Sequence, residues 1–214
     1  DNKAAMTSYR NTHKLISFFG RLTYNYNEKY MFMASLRREG SSRFGDNHKW
    51  GWFPAISAGW RISKENFMQD IDWLSNLKLR ASIGQTGNQS ISPYQTFARL
   101  GTSGPIFGDG KDIGFGLSSM ANDDLKWETT TQTDIGVDFG FFSNRLNIGF
   151  DYYWKQTRDL LYNATLPPSS GYSSMLRNLG RIDNKGFEIS INTINMKGKV
   201  NWTTNLNITS NRSI

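Results

Sequence analysis

The chain is 214 residues long, 37% hydrophobic and 14% aromatic, with 20 glycines and a mean hydropathy of −0.55, a mixture that suits many strands and turns better than helices. No apolar run approaches the roughly 18 residues a membrane-spanning helix needs, and zero cysteines exclude a disulfide scaffold and thiolate metal sites. The net charge of +7 is spread along the chain, its densest pair, Arg37 and Arg38, standing beside Glu39; with no basic run interleaved with stacking aromatics, no nucleic-acid partner is indicated.

Eight segments alternate with period two, which predicts an antiparallel meander of strands. The first runs from 14 to 26 and aligns Ile16, Phe18, Leu22, Tyr24 and Tyr26; NEK at 27 to 29 turns it back. The second, from Tyr30 to about Arg38, aligns Tyr30, Phe32, Ala34 and Leu36, and a Gly- and Ser-rich loop follows. The third, 50 to 62, puts Trp52, Ile56, Ala58, Trp60 and Ile62 on one face. Pro54 inside it cannot donate to a ladder and predicts a bulge or irregular pairing. SKENFMQDIDWLSN reads as a short helical or irregular link to the fourth strand, LKLRASIGQTGN at 77 to 88, where Leu77, Leu79, Ala81 and Ile83 alternate with Lys78, Arg80, Ser82 and Gly84.

A polar interruption of about 45 residues follows, the length of a functional loop. The fifth strand sets Thr131, Thr133, Ile135, Val137 and Phe139 against Gln132, Asp134, Gly136 and Asp138. After a turn at SN, the sixth sets Leu146, Ile148, Phe150, Tyr152 and Trp154 against Asn147, Gly149, Asp151, Tyr153 and Lys155. A second long loop precedes the seventh strand, with Phe187, Ile189 and Ile191 opposite Glu188, Ser190 and Asn192. MKGK then leads into the eighth, with Trp202, Thr204, Leu206 and Ile208 on one side.

Links after the odd strands are short or modest, and those after the second, fourth and sixth are long, so a meander gathers all long loops at one end. Outer-membrane barrels have that anatomy, whereas soluble sandwiches mix their connections through Greek keys. Strands of about 9 to 13 residues suit a tilted bilayer crossing better than the usual soluble length of about 5 to 6. The face opposite the apolar one is rich in Gly, Ser, Asn and Asp, as a wet lumen tolerates. Tyr24, Tyr26, Trp52, Trp60, Tyr152 and Trp154 are candidates for aromatic girdles at the two membrane interfaces. Two other readings share this pattern: a self-contained small outer-membrane anchor barrel, and a soluble glycan-binding β-sandwich.

No motif announces catalysis, so the chain is read as no enzyme, with no cofactor and no metal site; a carboxylate-pair glycosidase ranks third among the function classes. His13 and His48, the two histidines, lie in different segments without metal or triad spacing. Asp134, Asp138 and Asp151 project to one side of neighbouring strands and predict a charge network with Lys78, Arg80 and Lys155. ANDD at 121 to 124 lacks the rest of a calcium loop, and GTSGPIFGDG does not join a strand to a helix as a phosphate cradle does.

Several stretches, in this order and spacing, resemble the barrel of SusC/RagA-type TonB-dependent outer-membrane transporters: YMFMASLRREGSSRFGDNHKWGWFPAISAGWRISKENFM, LKLRASIGQTGN, LKWETTTQTDIGVDFGFF, RLNIGFDYYWKQTRDLLYN, LPPSSGY and NLGRIDNKGFEISI. The resemblance covers most of the chain. It implies an all-β fold, a segment of a transmembrane barrel of roughly 22 strands closed around a plug, in the bacterial cell outer membrane of Bacteroidetes-type organisms. It further implies nutrient uptake of oligosaccharides or peptides, coupling to TonB through an N-terminal region, and a SusD-like surface lipoprotein over the mouth. With no plug or energy-coupling box before Asp1 and no terminal aromatic strand at Ile214, residues 1–214 read as an internal barrel segment, and an export signal is expected outside them. The loops at about 86–130 and 159–183 are expected to be extracellular, where Tyr94, Phe97, Tyr162 and Tyr172 are candidate stacking contacts for solute or lipoprotein.

Overall fold

The computed structural model describes residues 10–103, 106–107, 110–111, 114–172 and 174–214. Residues 1–9, and part of the Gly-rich stretch, 104–105 and 108–109, lie outside the described residues. Among the described residues, fourteen strands form in chain order. They are β1 (Leu15–Tyr26), β2 (Tyr30–Ser41), β3 (Trp50–Arg61), β4 (Leu74–Asn88), β5 (Arg99–Ser103), β6 (Ile106–Phe107) and β7 (Gly110–Lys111), followed by β8 (Gly114–Ser119), β9 (Glu128–Phe141), β10 (Leu146–Arg158), β11 (Leu161–Thr165), β12 (Ser174–Asn178), β13 (Arg181–Met196) and β14 (Trp202–Ser213).

Eight of them make one sheet in the order β1-β2-β3-β4-β9-β10-β13-β14, every neighbouring pair antiparallel. These are the eight segments whose alternation predicts strands, and they run from 12 to 16 residues. The remaining strands are small hairpins, β5–β8, β6–β7 and β11–β12, inside the long connections. Those connections, 42–49, 89–127 and 159–180, gather at what we term the loop end. The links 27–29, 62–73, 142–145 and 197–201 gather at the turn end. The 62–73 link contains two 3-10 turns, Ile62–Lys64 and Asn66–Met68, in keeping with the short helical or irregular link expected there.

The register carries the alternation across the whole sheet. Ala34 stands opposite Ile56, Ile56 opposite Ile83, Ala81 opposite Ile135, Ile135 opposite Tyr152, Tyr152 opposite Phe187, and Ile191 opposite Leu206. Since Cβ atoms of paired residues point to the same side, the apolar residues of eight strands fuse into one continuous band. Nothing covers it. Ile135, with strands on both sides, is still 54% exposed. A soluble sandwich would pack a second sheet over that band, and none is present among the described residues. The edge strands β1 and β14 do not pair with each other, so the sheet is an open wall and not a closed eight-stranded barrel.

Pro54 produces no bulge toward β2, whose register runs unbroken through Leu36↔Pro54. The effect falls on the other ladder. β3 and β4 pair from Ala55↔Gly84 to Arg61↔Lys78 and separate beside the proline, which has no N–H to offer.

Candidate functional site

Three features on this wall have enough structure to act on something: the polar face, the loop end and the turn end. On the polar face the central group is Arg80 of β4. Its Nε and Nη2 donate to both oxygens of Asp138 at 2.8 and 2.9 Å, and Nη2 also reaches Asp151 at 3.0 Å. A planar fork suits this two-sided grip in a way that lysine could not match. The guanidinium crosses β9 only because Gly136 lies beneath it; a Cβ there would sit 3.0 Å from Arg80 Nη2 and overlap the Asp151 carboxylate. Asp134 instead accepts from Ser82 Oγ at 3.1 Å and Gln132 Nε2 at 2.8 Å. The network expected from the sequence therefore forms around Arg80, while Lys78 and Lys155 make no ion pair among the described residues. Beside it opens a polar bay of about 680 Å³, reached by Arg80, Asp134, Tyr153, Lys155 and Glu188.

At the loop end the connections fold onto one another around a small core. Phe44, Phe53, Ile91, Leu125 and Trp127 are all buried, Leu125 completely. Trp127 packs on Phe44 with ring centres 5.1 Å apart and edge-on against Phe53 at 5.5 Å. Polar bonds tie the three connections together. Trp127 Nε1 donates to the Lys49 carbonyl at 3.1 Å, and Arg43 Nη1 to that of Gln89 at 3.1 Å. Asn122 Nδ2 donates to Leu176 O at 2.7 Å, and Asn178 Nδ2 to both Lys126 O and Asp159 O at 2.8 Å. Lys126 also pairs with Asp159 at 3.0 Å. These long loops thus have a fixed base, which the sequence did not announce.

The four candidate stacking residues sit around this base. Tyr94 and Phe97 share one turn, closed by Phe97 N donating to Tyr94 O at 3.3 Å, and are 48% and 58% exposed. Tyr162 on β11 is 60% exposed, whereas Tyr172, beyond the Pro168–Ser170 turn, is half-buried. None of the four stacks on another among the described residues. The structure adds Leu100, Phe115 and Leu117 on the β5–β8 hairpin as exposed apolar neighbours, which sequence reading passed over because single apolar residues in a polar stretch carry no period.

At the turn end, Glu65 Oε1 accepts from Tyr30 Oη at 2.6 Å and Trp60 Nε1 at 3.1 Å, and Oε2 pairs with Lys29 at 3.3 Å. The hydrogen bonds from Tyr30 and Trp60 hold the Glu65 carboxyl below the usual glutamate range; desolvation opposes them and Lys29 assists. Tyr30 and Trp60 are paired residues on the apolar face, so their tips are anchored where that face ends. Tyr26 stacks beside Tyr30, ring centres 6.5 Å apart.

A long-stranded antiparallel wall, apolar on one side and polar on the other, with all long loops at one end, defines the class of transmembrane β-barrels. Comparison with known proteins narrows the class. The family profile described as TonB dependent receptor-like, beta-barrel, matches residues 1–212. The chain belongs to that family. It is 44% identical over 208 residues to TonB-dependent receptor P3 of Formosa agariphila, covering 97% of this chain and 21% of that protein. Against TonB-dependent receptor SusC of Bacteroides thetaiotaomicron it is 37% identical over 219 residues, again covering 97% of this chain and 21% of the relative. The chain therefore spans about a fifth of the length of the relatives it matches. Among solved structures, the RagAB peptide importer in its closed-closed state aligns with TM-score 0.83 and 32% identity, over 93% of this chain and 22% of that one. The siderophore receptor PirA of Pseudomonas aeruginosa shares the fold at TM-score 0.59 and 13% identity, over 93% of this chain and 32% of that one.

Proposed function

We propose that this chain forms part of the wall and mouth of an outer-membrane transporter that imports oligosaccharides or peptides. In this reading TonB supplies the energy and a SusD-like surface lipoprotein sits over the loop end, which faces outward. The observation that carries it is a sheet with one uncovered apolar face and one charged, hydrogen-bonded face, on a backbone aligning with that of the RagAB peptide importer. The role is transport; the relatives are named as receptors, and the polar face offers fixed charges along a passage. Tyr94, Phe97, Tyr162 and Tyr172 serve as contacts for solute or lipoprotein, because wall strands are committed to pairing while these side chains stand on a rigid base at the mouth.

Replacing Tyr94, Phe97, Tyr162 and Tyr172 together by alanine in the whole receptor tests this placement, since none of the four belongs to the buried loop core of Phe44, Phe53, Ile91, Leu125 and Trp127. The expected result is a barrel that still assembles but loses uptake of its solute or co-purification of the lipoprotein. Unchanged uptake together with an unchanged complex would overturn it.

A further inference from the structure

The polar bay beside Arg80 has a floor and a rim of different chemistry. Its floor is the ring of Tyr153 on β10. Gly186 stands directly across from that residue on β13, and a Cβ there would come within 2.7 Å of Tyr153 Oη and 2.9 Å of its Cζ. The phenol end therefore lies along the wall, over the bare backbone of Gly186. Tyr153 is only half-buried and lines the bay, so the ring is covered from below and open toward the cavity.

The rim follows from register. Asp134 of β9 stands across from Tyr153, and Asn211 of β14 across from Gly186. Lys155, two residues along β10, pairs with Asn184, and Glu188 lies two residues along β13 from Gly186. Alternation turns all of them to the side of Tyr153, and all line the bay. Covering a glycine with an aromatic ring is a structural device of sheets, and it accounts for the floor. It does not account for the rim: the Tyr153 hydroxyl, Lys155, Asn184, Glu188 and Asn211 have no side-chain hydrogen-bond or ion-pair partner among the described residues.

The chemistry of the rim selects among ligands. Arg80 is already held by Asp138 and Asp151, which leaves Lys155 as the free cation against Asp134 and Glu188. The carboxylates repel a phosphate, a sulfate or a uronate, and Lys155 repels an ammonium. Lys155 donates, the carboxylates accept, and the amides of Asn184 and Asn211 do both. A ligand that satisfies this rim is uncharged and both donates and accepts at many points. The floor asks for a flat face of C–H groups, which the negative face of an aromatic ring attracts. A pyranose unit presents both, with C–H groups on its face and hydroxyls around its edge.

Resting on the reading of this wall as part of a transporter for oligosaccharides or peptides, we infer that the bay is a lumenal subsite for an uncharged saccharide. One sugar ring stacks on Tyr153, Lys155 and the two asparagines donate to its hydroxyls, and Asp134 and Glu188 accept from them. The bay lies in the loop half of the polar face, since β13 begins at Arg181 from the loop end and runs to Met196. A solute entering from that end meets it after the mouth. The subsite favours saccharide over peptide and neutral sugar over acidic.

The test measures binding of the whole receptor, purified without any partner protein, to an array of neutral hexose and pentose oligosaccharides of differing linkage, with an oligogalacturonate and a peptide mixture for comparison. Wild type is expected to capture neutral sugars in preference to both. Tyr153→Ala should bind them roughly tenfold more weakly, and Tyr153→Phe should stay within a few-fold of wild type. Glu188→Ala combined with Asn211→Ala should also lose roughly tenfold, whereas Asn192→Ala, on the polar side of β13 nearer the turn end, should lose nothing. A heat-dependent gel shift shows which variants assemble; if Tyr153→Ala does not, the Glu188 and Asn211 double variant carries the test. Failure of wild type to capture any neutral sugar, preference for the oligogalacturonate or for peptide, or equal capture by the assembled bay variants and wild type overturns the proposal. Uptake by cells carrying the receptor separates the two claims. Receptor-dependent uptake of sugar or peptide with unchanged capture by the variants leaves the transporter standing and removes only the subsite; no receptor-dependent uptake of either removes both.

Discussion

At the scale of single residues, the informative positions are those where the sheet makes room for something. Gly136 allows Arg80 to span Asp138 and Asp151, and Gly87 leaves space for the Phe53 ring, which a Cβ would overlap. Overpacking a tight site costs about 1 to 3 kcal/mol, so Gly87→Ala is expected to loosen the loop base without unfolding the wall. Leu125→Ala acts through the opposite defect. It empties a fully buried position, costs about 2 to 5 kcal/mol, and should expose 89–127 to protease while the eight strands stay resistant. Unchanged cleavage of both variants would contradict the assignment of a packed base. Glu65 provides a pH dependence. Its folded carboxyl titrates below its ordinary value, so its stabilising contribution is present above the ordinary glutamate range and is lost as acid protonates the folded form. Hydrogen-exchange protection of 62–73 is expected to be flat near neutrality and to fall only in acid, below the ordinary glutamate range; Glu65→Gln should lower protection at neutral pH and abolish the acid step.

At the scale of elements, side-chain alternation is what makes a strand readable, because a period of two is a local property of the backbone. Ile148, Phe150 and Tyr152 alternate with Gly149, Asp151 and Tyr153 in sequence, and β10 presents them so in space. The same property predicts the effect of charge. Ile189→Arg on the apolar face should cost about 2 to 4 kcal/mol and reduce folding into vesicles. Asn192→Arg, on the polar side of the same strand, should fold normally by the heat-dependent shift on a gel. Equal behaviour of the two would refute the sidedness. What escaped the sequence was non-local. Phe44, Ile91, Leu125 and Trp127 are isolated apolar residues in Gly-, Asn- and Asp-rich connections, and no period links them until the meander brings their loops to one end. Likewise, the sequence placed Arg80 among three acids and two lysines on one face, but which carboxylates it grips depends on register and on the gap at Gly136. The irregularity expected at Pro54 was placed correctly, though which of its two ladders would stop depends on where β4 diverges.

At the scale of the whole molecule, the sheet is one arc of a larger wall. Among the described residues its apolar band has no cover, its polar face carries an ion network and a bay, and its loop end carries a braced cluster of loops. That division places hydrocarbon on one side and a wet passage on the other, and membership of the TonB-dependent receptor-like barrel family agrees with it. The proposed transport role depends on this sidedness.

The sidedness itself can be measured with single spin labels in the whole receptor, and this segment contributes no cysteine to interfere. Labels on Leu79→Cys, Ile148→Cys and Phe150→Cys are expected to collide with oxygen dissolved in lipid and to be shielded from a water-soluble nickel chelate, while labels on Ser82→Cys, Gln132→Cys and Ser190→Cys show no lipid exposure. If Leu79, Ile148 and Phe150 prove shielded from lipid, buried against protein instead, the apolar face is a core and the account of this chain as a membrane wall is wrong.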